Sequence, residues 1–215
     1  MLGIGEIIYF CLLFVALFIS IARRKFLPWY FIYFRILLSF SILFDLGGFI
    51  LKFYHYPRYW VYHLYRPLDY IFFACLFFFE IKTEAEKKII KYSCFLFVLV
   101  CIIYSIKNNF SGPTSLTSTI SNAFAVIICV LYFRDILRSD ERIVLIKEPM
   151  FWIATGSMFF CLATFFSMGF LKYLRQNNNP LANKYFLINY AMNYTLYLTY
   201  IIGVLCSKTH PKSTL

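Results

Sequence analysis

Two ionisable side chains, Arg35 and Asp45, interrupt an otherwise apolar stretch at residues 29–51. A charged side chain near the centre of a membrane-spanning helix costs about 3 kcal/mol or more, so such residues usually have a partner or a function. Ten residues of helix would separate the two by about 15 Å and by nearly a quarter turn, so they cannot pair with each other. Each therefore needs its own partner, and the sequence leaves open whether Arg35, an intramembrane charge, meets protein, water or phosphate.

Asp45 shares a helical face with Ser41, Gly48 and Lys52, and this face is too small and polar to prefer lipid. We expect it to point into a helix bundle. Other apolar stretches place polar side chains at a similar depth: Asp69, Ser118, Ser121, Asn122, Thr164, Ser167, Asn189 and Asn193. One interpretation is an outward-facing polar cavity that binds a ligand. The alternative is that these groups only cross-link helices, each hydrogen bond contributing about 0.6 to 2 kcal/mol.

Residues 53–70 are unusually rich in tyrosine and also carry His63, Arg66 and Asp69 at spacings of i, i+3 and i+6. Aromatic side chains of this kind commonly form a belt at the membrane–water interface. The alternative is a charged lid over the cavity, in which His63 and Arg66 bind an acidic headgroup or His63 responds to pH. The candidate ligand-binding residues are thus Asp45, His63, Arg66, Asp69, Asn122, Asn189 and Asn193.

These residues must be positioned by helices in a membrane, because the composition excludes a soluble globule. Hydrophobic residues make up 61% of the 215-residue chain and charged residues only 14%. A bilayer core takes about 20 helical residues. The apolar stretches predict an all-α bundle of seven transmembrane helices that forms a single domain over residues 1–215, with spans near 5–21, 29–51, 67–81, 92–106, 115–133, 149–171 and 185–206.

Prolines support these boundaries, since proline is tolerated in the first turn of a helix. Five of them lie at or just before the start of a predicted span: Pro28, Pro67, Pro113, Pro149 and Pro180. On this assignment no span has a proline in its middle. The third and fourth spans contain only 15 residues each, so a six-span topology is the alternative.

The basic residues predict the orientation, because Lys and Arg next to spans are retained in the cytoplasm. Thirteen of the 21 lie in the loops after the first, third and fifth spans and in the C-terminal tail, seven lie on the opposite side, and Arg35 lies within a span. The N-terminus is therefore expected outside and the C-terminus in the cytoplasm. The net charge of +11 is dispersed over short loops, which indicates topology and lipid contact rather than nucleic acid.

Several functional classes lack the residues they require. The seven cysteines lie in or at the edge of spans without a CxxC pair, and with three histidines they predict no metal site and no cofactor. A retinal Schiff base would need a lysine in 185–206, where there is none, and no span has the histidine of a serine protease dyad.

The stretches 62–70 (YHLYRPLDY) and 148–156 (EPMFWIATG) resemble uncharacterised seven-helix integral membrane proteins of Bacteroidota. The resemblance covers nearly the whole chain and implies a bacterial cytoplasmic membrane, but it brings no activity with it. More loosely, the layout resembles the seven-helix sensory regions of histidine kinases. No kinase domain is present, so a signal would have to pass to a separate protein.

The leading hypothesis is a sensory or accessory module that binds a lipid-like or small ligand from outside and contacts a cytoplasmic or membrane protein through its inner loops, including residues 134–148. The second is a lipid-modifying enzyme, with Asp45 or Asp69 as acid or base and His63 or Arg66 holding a phosphate. Transport of a small solute is third, because broken helices and internal repeats are not apparent.

Overall fold

The computed structural model describes residues 4–57, 59–110, 114–139, 144–176 and 181–207, with side chains given outside 168–187. This part of the chain is all-helical. It contains seven α-helices and a 3₁₀ turn at Leu145–Lys147. The helices are α1 (Ile4–Ala22), α2 (Phe31–Phe53), α3 (Tyr59–Glu80), α4 (Glu84–Lys107), α5 (Ser115–Arg138), α6 (Pro149–Gln176) and α7 (Leu181–Cys206).

Five of the seven helices contain a segment long and apolar enough to cross a membrane, namely α1, α2, α4, α5 and residues Pro149–Ser167 of α6. Large apolar side chains such as Phe18, Phe95 and Leu43 are mostly exposed on the outside of these helices. Such surfaces are unfavourable in water and suit lipid. The chain is therefore a multi-pass helical membrane protein. Among the described residues, α3 and α7 contain no segment that is both long and apolar enough.

Helix α3 begins at Tyr59, eight residues before the predicted start at Pro67, so Pro67 lies inside a helix. The prediction that no helix has an internal proline is wrong. Proline has no N–H to bond the carbonyl of His63 one turn earlier, yet membrane helices tolerate it where neighbouring groups compensate. Helix α4 likewise begins early, at Glu84, because its charged first turn continues the helix beyond the apolar stretch. Pro113 and Pro180 lie outside the described residues.

Six of the helices form a closed ring in the order α1, α2, α3, α5, α6 and α7, and α7 returns to contact α1. Helix α4 stands outside this ring. Within the described residues, the only helices that it contacts are α3 and α5. Polar side chains hold it there: the Tyr70 and Ser93 hydroxyls are 2.8 Å apart, and Arg134 pairs with Glu86 at 2.7 Å.

Neighbouring helices in the chain run in opposite directions, whereas α1 and α7 run side by side in the same direction. The Tyr194 hydroxyl, in the middle of α7, donates to the Gly5 carbonyl at the start of α1 at 2.8 Å, and Arg23 Nη1 donates to the Leu205 carbonyl at 2.6 Å near the ends of both helices. We call the end of the bundle where α1 begins the upper end and the opposite end the lower end.

The lower half of the ring is a packed apolar core. Leu13, Phe31, Phe34, Phe77 and Ile153 all have no exposed surface. At the lower end, Asp135 of α5 accepts hydrogen bonds from the Lys82 and Thr83 backbone N–H groups at 3.0 and 3.1 Å, so it anchors the short link between α3 and α4.

Helices α6 and α7 approach most closely at glycines. A Cβ atom on Gly156 would lie 1.8 Å from Thr199 Oγ1, and one on Gly203 would lie 2.8 Å from the Pro149 carbonyl oxygen. Only a residue without a side chain fits at either position, which is a common basis of close helix packing in membranes.

Candidate functional site

The upper half of the ring encloses a cavity of about 430 Å³. This volume lies within the range of small-molecule binding sites, roughly 300 to 1,000 Å³. All six ring helices contribute lining residues, and α4 contributes none. The cavity reaches the exposed Lys52 near the upper end and extends down to Ser157 and Tyr200.

Six of the seven candidate ligand-binding residues line this cavity: Asp45, Arg66, Asp69, Asn122, Asn189 and Asn193. They come from α2, α3, α5 and α7. The expectation that the face of Ser41, Asp45 and Lys52 points into the bundle is confirmed, since all three line the cavity. Gly48, on the same face, packs against Tyr62, whose hydroxyl would lie 2.7 Å from a Cβ at this position.

Asp45 is held by tyrosines. The Tyr9 hydroxyl of α1 donates a hydrogen bond to Asp45 Oδ2, and the Tyr197 hydroxyl of α7 lies 3.2 Å from the same Tyr9 oxygen. In the described structure no Lys or Arg nitrogen lies within 4 Å of the Asp45 carboxylate. The Tyr9 and Tyr197 rings also meet edge to face with centroids 5.5 Å apart.

Asp69 has a different environment. The Tyr65 hydroxyl donates to its Oδ1 at 3.0 Å and lies 2.9 Å from the Ser41 hydroxyl of α2. Arg66 Nη1 lies 3.9 Å from Asp69 Oδ2, a loose ion pair within one helix turn. Arg66 Nε is buried and has no hydrogen-bond partner among the described residues. The two carboxylates therefore differ, because among the described residues only Asp69 has a cation within 4 Å, whereas Arg66 acts on Asp45 from farther away.

The asparagines contribute polar walls. Asn193 Nδ2 donates to the Asn189 backbone carbonyl at 2.8 Å, one turn earlier in α7. Asn122 is almost fully buried on α5 beside Ser121, which also lines the cavity. Below them, the Ser157 and Tyr200 hydroxyls are 2.9 Å apart and form the floor.

His63 does not line the cavity, so the proposed lid of His63, Arg66 and Asp69 is wrong in its first member. Its Nδ1 lies 2.9 Å from the Ser105 hydroxyl of α4, and its ring stacks near Tyr104 and meets Phe110 edge to face. Because residues three apart in a helix differ in direction by about 60°, His63 points to α4 while Arg66 and Asp69 turn towards the ring interior.

Arg35 also lies away from the cavity, towards the lower end. Its Nη1 is buried without a hydrogen-bond partner in the described part of the chain. No group of three or more His, Cys, Asp or Glu side chains that could hold a metal ion occurs among the described residues.

The tyrosines of the cavity were not among the predicted site residues. Seven tyrosines line it: Tyr9, Tyr62, Tyr65, Tyr70, Tyr190, Tyr197 and Tyr200. A signal for them was present in α7, where Tyr190, Asn193, Tyr197 and Tyr200 follow one another at helical spacing and so share one face.

Comparison of the chain with family models, with curated proteins and with solved structures found no match. The resemblance to seven-helix proteins of Bacteroidota stays a prediction.

Proposed function

We propose that this protein is a sensory or accessory module of a bacterial cytoplasmic membrane that binds a small or lipid-like ligand in the upper cavity. The observation that carries the proposal is the cavity itself, because six helices from distant parts of the chain combine their polar side chains around one space. Helix cross-linking alone would bring polar groups into contact and leave no space between them.

The proposal includes seven spans, the five apolar helices together with α3 and α7. The polar residues of these two helices, including Arg66, Asp69, Asn189 and Asn193, line the cavity and need not meet lipid. With the basic residues in the cytoplasm, the upper end faces outside. The lower loops, including the exposed Ile146 of the 3₁₀ turn, then face the cytoplasm and are available to a partner protein.

Ligand binding explains the cavity better than transport of a solute through the bundle does. Below Tyr200 the ring is filled by Phe31, Phe34 and Leu13, which are fully buried and apolar. A transport path would need to cross this core. The enzyme alternative loses one of its proposed phosphate-binding residues, because His63 faces α4.

The function is tested by blocking the cavity. Native mass spectrometry of the protein purified in mild detergent should detect a retained small molecule, and the variant Ala125→Phe should lose it because Ala125 lines the cavity. The control is Ala123→Phe, two residues away on the same helix and outside the lining. Equal retention by both variants, or turnover of a labelled lipid extract by the wild type, would overturn the proposal.

A further inference from the structure

Two carboxylates of the cavity lining, Asp45 and Asp69, differ in their described partners. Arg66 is the cation nearest to Asp69. Asp45 has hydroxyl partners but no described cation within 4 Å. Asp45 is half-buried, and removing a carboxylate from water without a cation in contact is costly, so a positively charged ligand beside it would lower this cost.

The cavity walls are aromatic where the carboxylate lies. Tyr9 and Tyr197 meet at Asp45, and Tyr65 lies beside them as part of the Ser41–Asp69 network. Four phenylalanines, Phe10, Phe49, Phe73 and Phe160, add to the seven tyrosines of the lining. Aromatic rings attract organic cations through their quadrupole, with about 2 kcal/mol or more per contact when water is excluded.

We propose that the cavity binds an organic cation, with the ammonium group of the ligand at Asp45 and its alkyl groups against the surrounding tyrosines. The proposal rests on the ligand-binding function above and names its chemical class. The ammonium group belongs either to a soluble amine or to a lipid headgroup, since both present the same chemistry to Asp45.

Two other ligand classes fit the same walls less well. A bare metal ion needs several oxygen ligands at about 2.0 to 2.6 Å, and the described residues contain no group of three or more His, Cys, Asp or Glu side chains that could hold one. An anion would meet the Asp45 carboxylate, which has no described cation within 4 Å, and Arg66 already has Asp69 as its neighbour.

The first test compares three probes of nearly equal shape: choline, the neutral 3,3-dimethyl-1-butanol and the anionic 3,3-dimethylbutyrate. A ligand that binds only the folded state raises the melting temperature. Choline should raise the melting temperature of the detergent-purified protein, and its affinity should exceed that of the neutral probe by about tenfold or more. This comparison uses the wild type alone, so it does not depend on how a variant folds.

The second test uses the sign of the charge change. Asp45→Asn should weaken choline binding about tenfold, because the counter-ion is lost. Arg66→Gln should strengthen it, because a competing positive charge is lost. For an anionic ligand both signs would reverse. Circular dichroism of the two variants shows whether the helices are retained, and Ala125→Phe should abolish binding of choline.

A third comparison identifies the source of the ammonium group. If the site binds a lipid headgroup, phosphatidylcholine nanodiscs already fill it, and added choline no longer raises the melting temperature. In nanodiscs of phosphatidylglycerol, added choline still raises the melting temperature. A soluble-amine site gives the same shift in both. Preference for 3,3-dimethylbutyrate or for the neutral probe would overturn the organic-cation assignment and leave ligand binding standing. Absence of any shift, together with no retained molecule in the purified protein, would overturn both.

Discussion

The Tyr9 hydroxyl of α1 donates a hydrogen bond to the Asp45 carboxylate of α2 and so joins two ring helices at the cavity wall. Tyr9→Phe should keep the ring but remove this bond, and a hydrogen bond to a charged group contributes about 1.5 to 3 kcal/mol. We expect a loss of this size in the free energy of unfolding, measured by denaturant titration in detergent micelles. Tyr92→Phe on the exposed face of α4 is the control, and an equal loss in both variants would contradict the prediction.

The close approach of α6 and α7 makes Gly156 hard to replace. Gly156→Ala would place a Cβ 1.8 Å from Thr199 Oγ1, so the helices must separate and the protein should lose about 3 kcal/mol of stability. The three atoms nearest to that Cβ belong to Thr199, so adding Thr199→Gly should recover part of the loss. Gly47→Ala is the control, because no atom lies within 4 Å of its Cβ. A single variant as stable as this control would refute the argument.

The pair of Glu86 and Arg134 attaches α4 to the ring at the lower end. Glu86 has no exposed surface, so Arg134→Met leaves a buried carboxylate without its cation and should cost about 3 kcal/mol. Replacing both residues by Met should restore much of the stability, since the isolated charge is gone. Lys87→Met breaks a pair whose partner Glu84 is 76% exposed, and should cost less than about 1 kcal/mol. Thermal unfolding of these three variants and of the unsubstituted protein gives the comparison.

The proposed orientation is tested by adding one cysteine near the upper or the lower end of the bundle. His55 follows α2 at the upper end, so His55→Cys should react with a membrane-impermeant maleimide on intact cells. Lys87→Cys lies near the lower end and should react only after the membrane is opened. The unsubstituted chain is the control for its seven own cysteines. If only the cysteine at position 87 reacts on intact cells, the orientation is the opposite of the proposed one. If both positions react from outside, the number of spans between them is not odd.

Much of the fold could be predicted from hydropathy, because an apolar stretch in a membrane protein has no alternative to a helix. The ends could not. Residues 59–66 and 84–91 are helical beyond the apolar stretches, and no hydropathy signal marks a helix that continues into the interface. Pro67 was predicted to begin a helix for the same reason. Proline indicates a helix start only where the residues before it are not helical.

The site was predictable where one helix carried several polar residues, as at Ser41, Asp45 and Lys52. It was not predictable where the neighbouring helix decides the role of a side chain. His63 and Arg66 are three residues apart in sequence, yet His63 contacts Ser105 of α4 and Arg66 lines the cavity. Helix α4 lies outside the ring because of the order in which the helices pack against one another. Seven apolar stretches of similar composition do not indicate this order.

The contact between the first and last helices also sets the order in which the site is made. Tyr9 and Tyr197 lie 188 residues apart, so a ribosome adding about 5 to 20 residues per second emits the second tyrosine roughly 10 to 40 s after the first. During that interval α1 is in the membrane without α7, and the wall beside Asp45 is incomplete. A chain truncated before α7 would therefore leave the cavity open on the side of Asn193, Tyr197 and Tyr200, however well its earlier helices had inserted.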